Sequence, residues 1–197
     1  MKTLLKLSLA ATAVITAFGA QAQEFPSKDK TVTLVVPYAA GGPTDRVARD
    51  LAEALRKPLG VSVVVDNAAG AGSTIGTAKA ARATPDGYTL LLNHISMSTM
   101  PTMYRKLAFN VVNDFEYLGI INDVPMTLIA KPSMAANNYK ELSTWINQNK
   151  GKINLGNAGQ GSASHLCGLM FKSALQTDMT DVPYKGTAAA ITALLGG

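Results

Sequence analysis

The sequence predicts an α/β protein of two lobes, each built around a mainly parallel, doubly wound sheet. Short apolar runs typical of buried strands alternate with amphipathic segments typical of helices along the 197 residues. One device, a short strand followed by a glycine-rich loop and a helix start, occurs in each half of the chain. The content of apolar residues, 47%, is that of an ordinary folded globular protein.

Residues 1–22 are predicted to be a cleavable secretory signal peptide. Lys2 and Lys6 precede the apolar residues 7–18, and a small-x-small cleavage site follows at residues 20–22. The apolar stretch is shorter than the roughly 20 residues that span a bilayer, so we expect no membrane insertion after the signal is removed. The mature protein is therefore expected in the periplasm.

The charge and cysteine content exclude several classes of function. Removing the two lysines of the signal lowers the formal net charge from +5 to +3, and the remaining bases are scattered among acids. No nucleic-acid partner is indicated. Cys167 has no second cysteine for an internal disulfide, and the two histidines are dispersed without the spacing of metal ligands. We therefore expect no metal and no cofactor.

The first lobe is predicted to span residues 23–124. Strands are expected at residues 32–36, 61–65 and 88–92, and Val47, Leu51 and Leu55 recur at helical spacing after the first of them. An alanine-rich helix is expected at residues 74–83, an irregular polar loop at residues 93–103, and another strand at residues 114–121.

The second lobe is predicted to span residues 125–197 and to face the first across a cleft. Its strands are expected at residues 126–130, 153–156 and 179–182, with helices between them and after them. Three short strands leave this sheet under-covered, so we expect the chain to be a C-terminally truncated form with marginal stability and weak or no binding.

The opening strand leads into the first predicted binding loop. Gly41 and Gly42 permit a tight turn, and Pro43 suits the first turn of a helix, whose free N–H groups attract an anion. No Lys or Arg lies between Val32 and Asp45, which favours a carboxylate over a polyphosphate. Asp45 could instead only cap the helix or brace the loop, or it could bind the amino group of a ligand that is an amino acid. The predicted ligand-binding residues here are Tyr38, Ala40, Gly41, Gly42, Thr44 and Asp45.

The second predicted binding loop is the glycine-rich stretch of the second lobe. Its serines could offer hydroxyls to a ligand or simply cap the following helix. Two such loops facing each other would enclose an anion, and His94, in the polar loop after the third strand, would form a third wall. The predicted residues of this loop are Gly159, Gly161, Ser162, Ser164 and His165.

Two other interpretations of these motifs carry less weight. Gly70, Gly72 and Gly76 imitate a dinucleotide fingerprint with the wrong spacing, and close backbone packing explains them better. A hydrolase could draw on Ser162 or Ser164 with a histidine and Asp45, but the G-x-S-x-G motif is absent. We therefore expect no catalytic residues.

Several motifs together resemble those of the Bug family of periplasmic solute receptors. They read VVPYAAGGPTD at residues 35–45, DN and GAG at residues 66–67 and 70–72, PDGYTLL at residues 85–91, GQGSASH at residues 159–165 and VPYKG at residues 182–186, with residues 104–115 also matching.

The resemblance implies a periplasmic-binding-protein-like fold of type II that closes on a small di- or tricarboxylate or related organic acid without catalysis. It also implies delivery to the membrane subunits of a tripartite tricarboxylate transporter, or, alternatively, to a sensor kinase. In that family, loops matching residues 38–45 and 159–165 hold the ligand carboxylate, usually without an arginine. Asn93 and His94 depart from the family pattern, and family members continue for roughly another domain beyond Gly197.

Overall fold

The computed structural model describes residues 25–196, so the predicted signal peptide lies outside the described residues. Its strands are β1 (Val32–Val36), β2 (Val63–Asn67), β3 (Thr89–Leu91), β4 (Asn154–Asn157) and β5 (Thr180–Pro183). Its helices are α1 (Pro43–Leu59), α2 (Thr74–Ala81), α3 (Ser96–Met103), α4 (Tyr139–Gln148), α5 (Ala163–Ala174) and α6 (Thr187–Gly196), with a 3₁₀ turn at Ala71–Ser73.

The first sheet is parallel throughout and has the strand order β2-β1-β3. Its central strand is buried on both faces, as its unbroken apolar run predicts. Leu34 and Val36 pack with Ala48 of α1, while Val32 and Val63 pack with Ala52 of the same helix. The small alanine side chains on α1 let the helix lie directly on the sheet.

The second sheet has two parallel strands, β4 and β5, in the register Asn154↔Thr180 to Asn157↔Pro183. Its helices differ in how much they bury: α4 contributes the buried Ile146, whereas α5 keeps Leu169 and Met170 exposed. This sheet is therefore smaller and less covered than the first.

The structure corrects three predictions made for the middle of the chain. Residues 114–121 and 126–130 are not strands, because no neighbouring strand among the described residues supplies hydrogen bonds to them. Residues 93–103 are not wholly irregular, because the polar residues from Ser96 to Met103 form α3, with Met100 fully buried against Ala78 and Phe109. The second sheet accordingly has two strands instead of three.

The segment at residues 116–130 is exposed along its whole length. Leu118 and Ile120 are 84% and 88% exposed although their apolar alternation is typical of strands. The chain is anchored on either side of this segment, by Phe115 against the cluster around Phe109 and by the buried Ile146. Within residues 25–196, this segment is therefore held at its two ends and is not part of a sheet.

Candidate functional site

The first loop–helix junction, residues 38–45, is held by a hydrogen bond between its own loop and the first turn of its helix. Gly41 has a φ of 81°, and its N–H donates a 2.8 Å hydrogen bond to Asp45 Oδ2 in the first turn of α1. Asp45 is 4% exposed and also accepts a 3.0 Å hydrogen bond from Arg49 Nε. The negative charge expected at this helix start is thus provided by the chain itself.

Electrostatics keep the Asp45 carboxylate ionised. Burial acts to raise the pKa of its carboxyl, but hydrogen bonds from Arg49 and from the Gly41 N–H outweigh burial and hold the pKa below its usual value. The bracing role that the sequence left open as an alternative for Asp45 is therefore the one its contacts support.

The second loop–helix junction, residues 157–165, repeats this geometry with different side chains. Gly161 has a φ of 80°, and its N–H donates to Nδ1 of the buried His165 at 3.2 Å. The His165 N–H donates to Ser162 Oγ at 3.3 Å, and the Ala158 N–H donates to Ser164 Oγ at 2.9 Å. Nδ1 acts as an acceptor here, so the geometry assigns the ring proton to Nε2.

A buried polar network lies behind the first junction and joins it to α3. The ring of His94 stacks on Tyr38 with a centroid separation of 4.4 Å and an interplanar angle of 16°. The Tyr38 hydroxyl lies 2.9 Å from Ser96 Oγ, which in turn lies 3.0 Å from Ser73 Oγ. Burial lowers the pKa of His94 to about 4, so its imidazole is neutral at neutral pH.

A cavity of about 300 Å³ opens where the carboxyl ends of the strands of both sheets meet. This is the edge at which parallel α/β sheets hold ligands. The cavity is lined by Pro37, Gly70, Ala71, Gly72, Ser73, Tyr104, Gly159, Gln160, Pro183, Tyr184 and Lys185.

The loops of the two sheets touch at several points around this cavity. The Ala39 N–H donates to the Lys185 carbonyl at 3.1 Å, and Thr99 Oγ1 donates to the Gly161 carbonyl at 2.8 Å. Gly72 approaches so closely that an added Cβ would lie 2.3 Å from the Gln160 carbonyl oxygen. A side chain at this glycine would push the two loops apart.

Of the twelve binding residues predicted from sequence, only Gly159 belongs to the cavity lining. The others lie around it: Ala40 is exposed, Thr44 is in the first turn of α1, and His94 stands behind the wall formed by Ser73. The remainder belong to the two junctions and the polar network just described; these are Tyr38, Gly41, Gly42, Asp45, Gly161, Ser162, Ser164 and His165. Their hydrogen bonds in the structure are made within the chain, except that Asp45 Oδ1 is buried without a partner among residues 25–196.

Sequence reasoning missed the contributions of the turn at residues 70–73 and of the loop at residues 183–185. The prediction of close backbone packing is correct for Gly76, where an added Cβ would lie 2.7 Å from Pro37. The turn at residues 70–73 also lines the cavity, which was not predicted. Ala71, Gly72 and Ser73 all have positive φ, of 43°, 56° and 77°. The available signals were the GAG and VPYKG motifs, each directly after a strand.

The described part of the chain offers neither a metal site nor a membrane-spanning helix. Within residues 25–196, no three His, Cys, Asp or Glu side chains come close enough to hold a metal ion. No helix in that range is both long enough and apolar enough to cross a membrane.

Comparison with known proteins gives a consistent result. The pattern of the tripartite tricarboxylate transporter family receptor matches residues 47–197. A UPF0065 protein of Agrobacterium vitis, from the TAR-I ttuE-ttuC' intergenic region, is 43% identical over 187 residues, covering 94% of this chain and 54% of the relative. The chain thus spans about half the length of the relatives it matches.

Solved structures of periplasmic binding proteins share the fold. The periplasmic binding protein BugD is 51% identical with a TM-score of 0.83, over 86% of this chain and 57% of BugD. Rhodopseudomonas palustris MatC with bound malate is 34% identical with a TM-score of 0.79, over 86% of this chain and 57% of MatC. R. palustris Rpa4515 with adipate is 31% identical with a TM-score of 0.82, over 87% of this chain and 57% of Rpa4515. The chain, an α/β protein with parallel sheets, belongs to the Bug family of tripartite tricarboxylate transporter receptors.

Proposed function

We propose that this chain captures a small di- or tricarboxylate, or a related organic acid, in the cavity between its two sheets. The proposal departs from the weak or absent binding expected from the under-covered second sheet, because residues that follow strands of both sheets line the cavity. The protein would act in the periplasm and deliver the acid to the membrane subunits of a tripartite tricarboxylate transporter. The observation that carries this proposal is the cavity itself, which lies at the carboxyl ends of parallel strands and is walled by glycine turns from both sheets.

Backbone donors give the cavity its affinity for anions. The N–H groups of Ala71, Gly72 and Gln160, all in its wall, donate no hydrogen bond to any residue in the range 25–196. Free N–H groups that converge on a cavity are suited to a carboxylate, which offers two acceptor oxygens. The carboxylate ligands of MatC and Rpa4515, malate and adipate, support the same ligand class.

The side-chain geometry favours binding over catalysis. His165 Nδ1 is occupied by the Gly161 N–H, and His94 is stacked on Tyr38, so neither ring is placed to accept a proton from Ser162. Asp45 is engaged by Arg49 and Gly41 instead of a histidine. Among residues 25–196, Ser162, the two histidines and Asp45 therefore do not form a nucleophile, base and orienting acid.

Calorimetric titration of the purified chain with malate, adipate and citrate tests the proposal. Gly72→Ala is expected to abolish measurable binding, because its Cβ would lie 1.9 Å from the Tyr104 hydroxyl oxygen and would separate the loops. Gly60→Ala is the matched control, since Gly60 has a similar φ of 67° but no atom within 4 Å of an added Cβ. Equal affinity in both variants, or no binding of any of these acids by the wild-type chain, would contradict the proposal.

A further inference from the structure

Lys185 is the one charged residue among the eleven that line the cavity. The others are glycine, alanine, serine, proline, tyrosine and glutamine, none of which carries charge at neutral pH. The Lys185 backbone is fixed against the first junction, because its carbonyl accepts the hydrogen bond from the Ala39 N–H. An added Cβ at the adjacent Gly186 would lie 3.3 Å from the Ala39 nitrogen, so this contact is tight.

The ammonium group of Lys185 has no carboxylate partner in the described part of the chain. Arg49, Lys79 and Lys172, by contrast, are paired with Asp45, Asp66 and Asp181. His94 is neutral at neutral pH and stacks on Tyr38, outside the cavity lining. Lys185 is therefore the one cationic residue of the lining, and no ion pair within residues 25–196 holds its ammonium group.

We propose that Lys185 is a specificity-determining residue, which pairs with one carboxylate of the ligand while the backbone N–H groups of the opposite turn hold the other. This inference rests on the proposed function and narrows its ligand class to acids with at least two ionised carboxylates. Backbone N–H groups donate to an amide oxygen as well as to a carboxylate oxygen, although the bond to the amide is weaker. An ammonium group distinguishes the two more sharply, because it also attracts the charge of the carboxylate.

The test compares malate with its neutral diamide, malamide, by calorimetry on the purified chain. Lys185→Gln is expected to weaken malate binding about five- to tenfold and to leave malamide binding unchanged. The effect is limited to this size because Lys185 is exposed and its ammonium group remains partly hydrated. Lys185→Arg keeps the charge and is expected to retain malate affinity within about twofold.

Lys140→Gln is the matched control, because it also removes one exposed positive charge. Lys140 lies on α4, is not part of the cavity lining, and forms no ion pair with residues 25–196. Raising the salt concentration should weaken malate binding by the wild type and by Lys140→Gln more than by Lys185→Gln. If the wild type binds malate and Lys185→Gln binds it equally tightly, the role of Lys185 is overturned and the proposed function stands. If the wild type binds no acid, both are overturned.

Discussion

The two loop–helix junctions have the same backbone geometry and different side-chain chemistry. In each, a glycine with φ near 80° donates its N–H to a side chain four residues later, Asp45 in the first junction and His165 in the second. The first acceptor is an ionised carboxylate paired with Arg49, whereas the second is an imidazole nitrogen of a residue whose backbone N–H donates to Ser162 Oγ. The backbone requires an acceptor at this point, and either a charged or an uncharged side chain can supply it.

Replacing the acceptor of the first junction gives the largest expected loss of stability. Asp45→Ala should lower the free energy of unfolding by about 2–3 kcal/mol, because it leaves the Gly41 N–H without its acceptor and Arg49 without its partner. Urea denaturation measures the change. Asp50→Ala, at a side chain that is 64% exposed and paired with Arg46, is the control and should cost less than about 0.5 kcal/mol. Equal losses would show that the first junction is not held by its carboxylate.

Acid should affect the same junction selectively. The folded pKa of Asp45 lies below its ordinary value, so the unfolded chain binds the proton more readily than the folded chain. The stability contributed by Asp45 is complete above its ordinary pKa of 3.8 and is lost as the pH falls through the lowered value. The difference in stability between the wild type and Asp45→Asn, measured by urea titration at several pH values, should therefore shrink below that pH. A constant difference would contradict the prediction.

Replacing Gly41 and Gly161 by alanine distinguishes two costs to stability, backbone strain and steric crowding of the added Cβ. Gly161→Ala should cost about 2 kcal/mol and Gly41→Ala about 1 kcal/mol. Both substitutions strain a positive φ, but an added Cβ at Gly161 would also lie 3.0 Å from Thr99 Oγ1, whereas at Gly41 the nearest atom is 4.0 Å away. Thermal unfolding of the two variants side by side checks the order, and a greater loss for Gly41→Ala would reverse our account of the junctions.

The N-cap residue of the second junction contributes less. Ser162→Ala should lower the free energy of unfolding by about 1 kcal/mol, because the His165 N–H loses the side-chain oxygen that accepts it. Ser98→Ala on α3, at an exposed serine, should change stability by less than about 0.5 kcal/mol. Denaturant midpoints of both variants test the assignment, which fails if the two are indistinguishable.

The first junction has no side-chain N-cap, and adding one should give the smallest change in the free energy of unfolding. Gly42 is the N-cap of α1, with no side-chain hydrogen bond, an ordinary φ of −86° and only normal contacts around an added Cβ. Gly42→Ser is expected to raise the free energy of unfolding by a few tenths of a kcal/mol. A lower denaturant midpoint would show that this buried position does not accept the hydroxyl.

Local sequence pattern was sufficient for elements whose partners lie close along the chain. The apolar run of β1 and the helical spacing of Val47, Leu51 and Leu55 predicted a buried parallel strand with its crossover helix, and the structure has both. Residues 114–121 and 126–130 were also predicted to be strands, yet neither is paired with a strand among the described residues, and residues 116–130 are exposed. A strand exists only where a second strand completes its hydrogen bonds, and apolar alternation cannot reveal whether that partner is present.

The sequence alone determined the α/β class, the two strand–glycine–helix devices and the family, because strand burial, helix periodicity and turn glycines are local properties. Only the tertiary structure decided which groups face the cavity. Ser162 and His165 were predicted to bind an anion, and Asp45 was predicted to lie at the same site, but all three make hydrogen bonds within their own loops. Lys185 and the turn at residues 70–73 line the cavity instead. A polar side chain near a helix start can serve the ligand or the backbone, and its three-dimensional neighbours decide between the two.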